Sequence, residues 1–178
     1  MRVGVAVLGL LALGGPARAA GEAELAGRAT LGPEERPVTL RLACDPAGLG
    51  LSAVLTVPRF AGLAGRFDFD ALEGPGGSTA TLTAIQVAGA GGVRGVRTAA
   101  TGAVAVDPAT SFTLTVAGAR RGADPLRGLV PELTEAGARI TWTQGSPRKC
   151  DVALVATFLA ADAGAASLSA ALAPCLKR

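Results

Sequence analysis

Histidine is absent from this 178-residue chain. With it go the side chain that most often serves as general base or proton shuttle near neutral pH, and the commonest metal ligand. Ser-His-Asp and Cys-His nucleophilic chemistry are excluded. Tyrosine is absent as well, and one tryptophan (Trp142) and five phenylalanines are the whole aromatic complement. So few rings cannot furnish the stacking platforms used for sugars or unpaired bases. Lysine is scarce, with Lys149 and Lys177 the only ones, and neither stands in a recognisable spacing to a serine nucleophile. An enzyme is therefore unsupported, although not excluded. The Arg-, Ala- and Gly-rich composition is that of a GC-rich bacterial coding sequence.

What is present begins with an export signature. Residues 1–20 combine Arg2, an apolar run from Val3 to Leu13, the helix breakers Gly14, Gly15 and Pro16, and an Ala17-Arg18-Ala19 cleavage pattern. The run is too short to cross a bilayer, which takes about 20 residues. The expected organisation is a signal peptide over 1–20 and a single β-rich exported domain over 21–178, periplasmic or secreted. No stable membrane insertion is expected after cleavage. Without Arg2 and Arg18, 15 basic residues face 14 acidic ones. That balance gives no reason to expect a nucleic-acid partner.

Three cysteines remain in the mature chain, Cys44, Cys150 and Cys175. In an oxidising compartment they predict one disulfide and one spare thiol. Cys44–Cys175 is the favoured pair, because it ties the chain's tail to an early strand. It closes a loop of about 130 residues, worth about 4 to 5 kcal/mol in the chain-entropy model. Cys44–Cys150 is the alternative. No cysteine follows the leader directly, so lipid attachment at a mature N-terminal cysteine is ruled out.

Period-two alternation of apolar and polar residues recurs in short runs between Gly, Pro and Asp, the mark of antiparallel strands with one buried face. The clearest run is Val38–Cys44, turned by Asp45-Pro46 into a hairpin partner over Leu49–Val57. Further strands are expected over Glu24–Leu31, Gly65–Asp70, Ser78–Val87, Val93–Val106, Ser111–Ala117, Ala138–Gln144 and Cys150–Leu159, with Ile140 and Trp142 facing the core. Asp124-Pro125 reads as a cap and first-turn proline of a short or broken helix ending at Gly137. A better helix runs over Gly164–Ala173, where Leu168 and Leu172 make an apolar stripe and Pro174 is the expected stop. The fold class is mainly β: one antiparallel β-sandwich or flattened barrel with a short C-terminal helix packed on it.

Three constellations invite chemistry. On a strand over Gly65–Asp70, Phe67 and Phe69 would enter the core and Asp68 and Asp70 would share the outer face, with Glu73 in reach. Such carboxylates suit Ca²⁺, which takes hard oxygen ligands in irregular geometry, although alternating apolar and acidic residues are also ordinary strand patterning. Cys150 follows two cations, Arg148 and Lys149, the setting that activates a thiol, and would carry any enzyme of unfamiliar type. Arg120, Arg121 and Arg127 could meet an anion near Asp124. No other metal or cofactor is expected.

The functional expectation is a non-catalytic exported domain that binds an envelope protein or a small ligand through edge strands or glycine-rich loops. A calcium-binding adhesion or stabilising module centred on Asp68, Asp70 and Glu73 is the alternative. Intact-mass measurement of the protein recovered from the producing cell should give a chain starting near Ala20 or Gly21. Recovery with Met1 in place and every cysteine reduced would contradict export.

Overall fold

The computed structural model describes residues 21–45, 50–74, 79–105, 111–118 and 124–176. The leader, the Arg120-Arg121 pair and most of the Asp45–Leu49 turn lie outside them. Nine strands form one antiparallel sheet: β1 (Glu22–Leu31), β2 (Glu34–Asp45), β3 (Gly50–Pro58), β4 (Thr83–Gly89), β5 (Gly92–Thr98), β6 (Thr101–Val104), β7 (Ser111–Ala117), β8 (Ala138–Gln144) and β9 (Leu154–Ala160). Their lateral order is β5-β4-β8-β9-β1-β2-β3-β7-β6. Among the described residues two α-helices complete the fold, α1 (Val130–Leu133) and α2 (Asp162–Leu176).

The fold is mainly β and antiparallel, as expected, and it is the barrel-like arrangement in open form: a single sheet curled into a half-barrel, with the C-terminal helix packed on it. One connection shows why it curls. β5 and β6 are the two outermost strands, yet only Ala99 and Ala100 separate them in the chain. Laid flat, nine strands would set those edges about 38 Å apart. Three Cα steps from Thr98 to Thr101 reach at most about 11 Å. The sheet must therefore bend until its edges approach. Antiparallel alternation across nine strands also gives β5 and β6 the same direction. The stretch read from the sequence as one strand from Val93 is thus a bent run that leaves β4 and joins β7.

Alternation then sorts the side chains by face. β3 buries Leu51, Ala53, Leu55 and Val57, β8 buries Ala138, Ile140, Trp142 and Gln144, and β9 buries Leu154, Ala156, Phe158 and Ala160. Trp142 is fully buried, as its strand parity predicts. Gln144 is the polar exception, and its amide is satisfied in place: Thr83 Oγ1 donates to its Oε1 at 2.7 Å, and its Nε2 donates to the Gly145 carbonyl at 3.1 Å. Gly27 marks the sharpest fit inside a strand. A Cβ there would overlap the Phe158 ring and the Thr157 carbonyl oxygen, the close approach that glycine in a strand interior commonly marks.

Both ends of the curl are stoppered. At one end α2 lies against β1, β2, β3 and β9, burying Ala165, Leu168, Ala171 and Leu172. The Cys44–Cys175 disulfide, across a Cα separation of 5.9 Å, joins the helix to the end of β2. This is the favoured pairing, and it leaves Cys150 as the free, exposed cysteine. The helix does not stop before Pro174. It runs through it to Leu176, because a proline in the last turn disturbs few further backbone bonds. Nearby, Asp124 does the work of a cap, accepting the Leu126 N–H on Oδ1 at 2.9 Å and the Leu51 N–H on Oδ2 at 2.8 Å. The segment after it is a 3-10 turn over Arg127–Leu129 followed by the single-turn α1, the broken helix foreseen around Pro131.

The other end is filled by the β3–β4 connection. Here the expected strand over Gly65–Asp70 is absent: the chain forms turns, with 3-10 segments at Phe60–Leu63 and Asp70–Leu72. Phe67 and Phe69 are both buried, but through an i→i+2 turn in which the Phe69 N–H donates to the Phe67 carbonyl at 3.1 Å. Such a turn copies strand alternation over three residues, which is how the pattern misled. β4 likewise begins only at Thr83 and β9 at Leu154, each later than the sequence pattern starts. Phe69 stands at the centre of the plug, its ring centroid 4.8 Å from Phe67, 5.0 Å from Phe112 and 5.4 Å from Phe60. Phe69→Ala should therefore cost about 3 to 5 kcal/mol, read as the loss of unfolding free energy in a urea titration. A loss under about 1 kcal/mol would mean that the plug is dispensable.

Candidate functional site

Two of the residues singled out from sequence, Asp68 and Cys150, come together where the β3–β4 connection meets the β8–β9 loop. Asp68 Oδ2 pairs with Arg148 Nε at 2.7 Å, and its Oδ1 accepts the Ala71 N–H at 3.3 Å, bracing the Asp70–Leu72 turn. The Asp68 N–H in turn donates to Asp151 Oδ2 at 2.9 Å. Ser146 Oγ donates to the same oxygen at 2.5 Å and accepts the Arg148 N–H at 3.1 Å. The Ser146 hydroxyl, chiefly, together with the Asp68 N–H and the Arg148 charge, holds the Asp151 carboxyl below the usual carboxylate range against a smaller opposing effect of burial.

This cluster is a clasp between two loops. Its carboxylates already accept backbone, hydroxyl and guanidinium donors, so neither is a poised base. The Cys150 thiol is exposed with Sγ 4.0 Å from Asp151 Oδ1, while the Arg148 guanidinium is turned to Asp68 instead of the sulfur. Asp70 and Glu73 stay outside the clasp. Asp70 is exposed at the head of its 3-10 turn, and Glu73 is exposed and makes an isolated parallel bridge to Gly102. The shared outer strand face that would have aligned Asp68 with Asp70 does not exist, because those residues are in turns. Among the described residues no group of three or more His, Cys, Asp or Glu side chains is arranged to hold a metal ion. Arg127 sits in the turn after Asp124, and the arginines expected beside it lie outside the described residues.

Sequence reasoning missed a second clasp, at the β4–β5 hairpin. Glu132 on α1 is buried and pairs with Arg94 of β5, leaving its Oε2 without a hydrogen-bond partner. Glu135 Oε2 accepts the Ala90 N–H of the hairpin turn at 2.7 Å. Glu132 and Glu135, three apart, carried the helical spacing, but nothing in the sequence placed Arg94 opposite them. The hairpin held in this way presents β5, the outermost strand on its side of the sheet. β5 is exposed over most of its length, with Val93 69% accessible.

Against protein-family models, curated proteins and solved structures, the chain has no match.

The Asp151 clasp has a pH signature. A carboxyl held below its ordinary value contributes stability above that value and loses it as pH falls through the lowered one. Asp151→Asn should therefore melt below the wild type at pH 6, and the gap should close as both are acidified through and below the usual carboxylate range. Melting curves from pH 7 to pH 2 check this, and a gap that widens on acidification would contradict the assignment.

Proposed function

We propose that this chain is an exported, non-catalytic β-domain, periplasmic or secreted, that binds another envelope protein by strand addition along β5. One observation carries the reading: among the described residues β5 pairs with β4 alone, so its far side offers backbone donors and acceptors along Gly92–Thr98. Gly92 and Gly95 leave room for an approaching backbone, and Val93 supplies an apolar contact. Arg94 is held by Glu132 on α1, which keeps the strand ordered for pairing. Arg97, exposed on the same strand, disfavours self-association by like-charge repulsion and favours a partner strand bearing acidic side chains. The disulfide supports export, since such bonds persist in oxidising compartments. The depleted catalytic inventory supports a binding role.

Site-specific photo-crosslinking in the producing cell tests it. A photoreactive residue at Val93 should give a discrete adduct with one envelope protein, and the same residue at Thr39, on the outer face of mid-sheet β2, should give none. Adducts from both positions, or from neither, would overturn the proposal.

A further inference from the structure

The β1–β9 ladder ends early. It runs from Leu31↔Leu154 to Gly27↔Phe158 and stops, although β9 continues to Ala160 along β8 and β1 starts back at Glu22 along β2. Beyond Gly27 the two strands part. A notch of about 400 Å³ opens between them on the outer face, lined chiefly by Ala26, Gly27, Arg28, Arg139, Thr157 and Leu159.

Its chemistry is mixed in an ordered way. Arg139 lies opposite Leu159 in the β8–β9 register, is exposed, and has no ion-pair partner among the described residues. Arg28 lies opposite Thr157, and its Nη1 is held by Glu35 at 2.5 Å, which steadies the guanidinium while leaving its other N–H groups free for a second acceptor. Leu159 is 59% exposed, a large apolar side chain on an outward position flanked by these cations. Two guanidinium groups suit an oxyanion, which they can bind with paired donors. The leucine and Ala26 suit the carbons next to it.

We propose that this notch binds a single-chain anionic amphiphile, an oxyanion head carried on an alkyl chain, with Arg139 and Arg28 on the head and Leu159 and Ala26 against the first carbons. The site spans β8, β9 and β1, its nearest strand is separated from β5 by β4, and it does not depend on the partner assigned to the free side of β5.

The test is calorimetric titration of the mature, disulfide-closed chain with decyl phosphate below its micelle concentration, alongside inorganic phosphate, decanol and phosphatidylglycerol vesicles. Decyl phosphate should bind more tightly than inorganic phosphate or decanol. Arg139→Gln should weaken it about tenfold, as expected for losing hydrogen bonds to a charged group. Leu159→Ser should weaken decyl phosphate about fivefold through lost apolar contact and leave inorganic phosphate unaffected. Both positions are exposed, and unchanged melting temperatures will show that the variants fold. Absence of decyl phosphate binding at about 1 mM, indifference to both substitutions, or inorganic phosphate binding as tightly as decyl phosphate would overturn the site. Binding to vesicles alone would equally overturn it, since the surface would then read a membrane and not a single chain.

Discussion

Two alanines hold the architecture to its shape. Because Ala99 and Ala100 are all that separate the outermost strands, the sheet cannot lie flat, and every inward side chain faces another across the curl. The consequence is one contiguous hydrophobic cluster that takes in residues from all the long strands, both stoppers and the C-terminal helix. Apolar burial of this kind is the main favourable term in folding. The chain can collect it without a second sheet, since the curled sheet supplies both sides of its own core. Ala100 is itself buried, so the link belongs to the core as well as closing it.

Polar interactions take a different part. Several of those that span elements sit where loops and short helices meet the rim: Asp124 on β3, Glu135 and Glu132 on the β4–β5 hairpin, and Asp68 with Asp151 between two connections. Several use a carboxylate to accept backbone N–H groups that no strand or helix satisfies. Leaving such donors unpaired on partial burial would cost more than the bonds gain, so these acids are best understood as repairs to the backbone's own bonding. The same logic explains why the conspicuous acidic run from Asp68 to Glu73 is not a ligand shell. Asp68 is occupied with its own turn and with Arg148, and Asp70 and Glu73 are exposed outside that cluster.

The outer surface is where binding capacity remains. Among the described residues β5 keeps one side without a ladder, and the parted strands β1 and β9 leave a notch with two arginines and an exposed leucine. Both features come from interruptions of pairing, the first at an edge and the second where Gly27 makes room for Phe158. Where ladders are complete a sheet presents few backbone groups to a partner, so interruptions of this kind are where recognition has something to hold.

Much of this was legible in the residues alone. Alternation is a local property, and it identified β1, β2, β3, β7, β8 and the inward faces of Cys44, Ile140 and Trp142. The cysteine positions favoured the Cys44–Cys175 bond over the alternative Cys44–Cys150, and the small-residue stripe around Leu168 and Leu172 marked the packed helix. Alternation failed at Phe67-Asp68-Phe69, where a tight turn reproduces the parity of a strand over three residues, and at Pro174, where position within the last helical turn matters more than residue type. Which strands neighbour one another, which strand is left at the edge, and which charges meet depend on contacts between residues far apart in the chain. Arg94 finds Glu132 only once α1 packs against the β4–β5 hairpin, and Arg28 and Arg139 come to one notch only because β9 pairs with β1 on one side and β8 on the other. No spacing along the sequence encodes a distance across a curled sheet, so the sequence by itself determined most of the strands and their buried faces, while the tertiary structure decided which cysteines pair, which strands lie at the edges, the clasps and the notch.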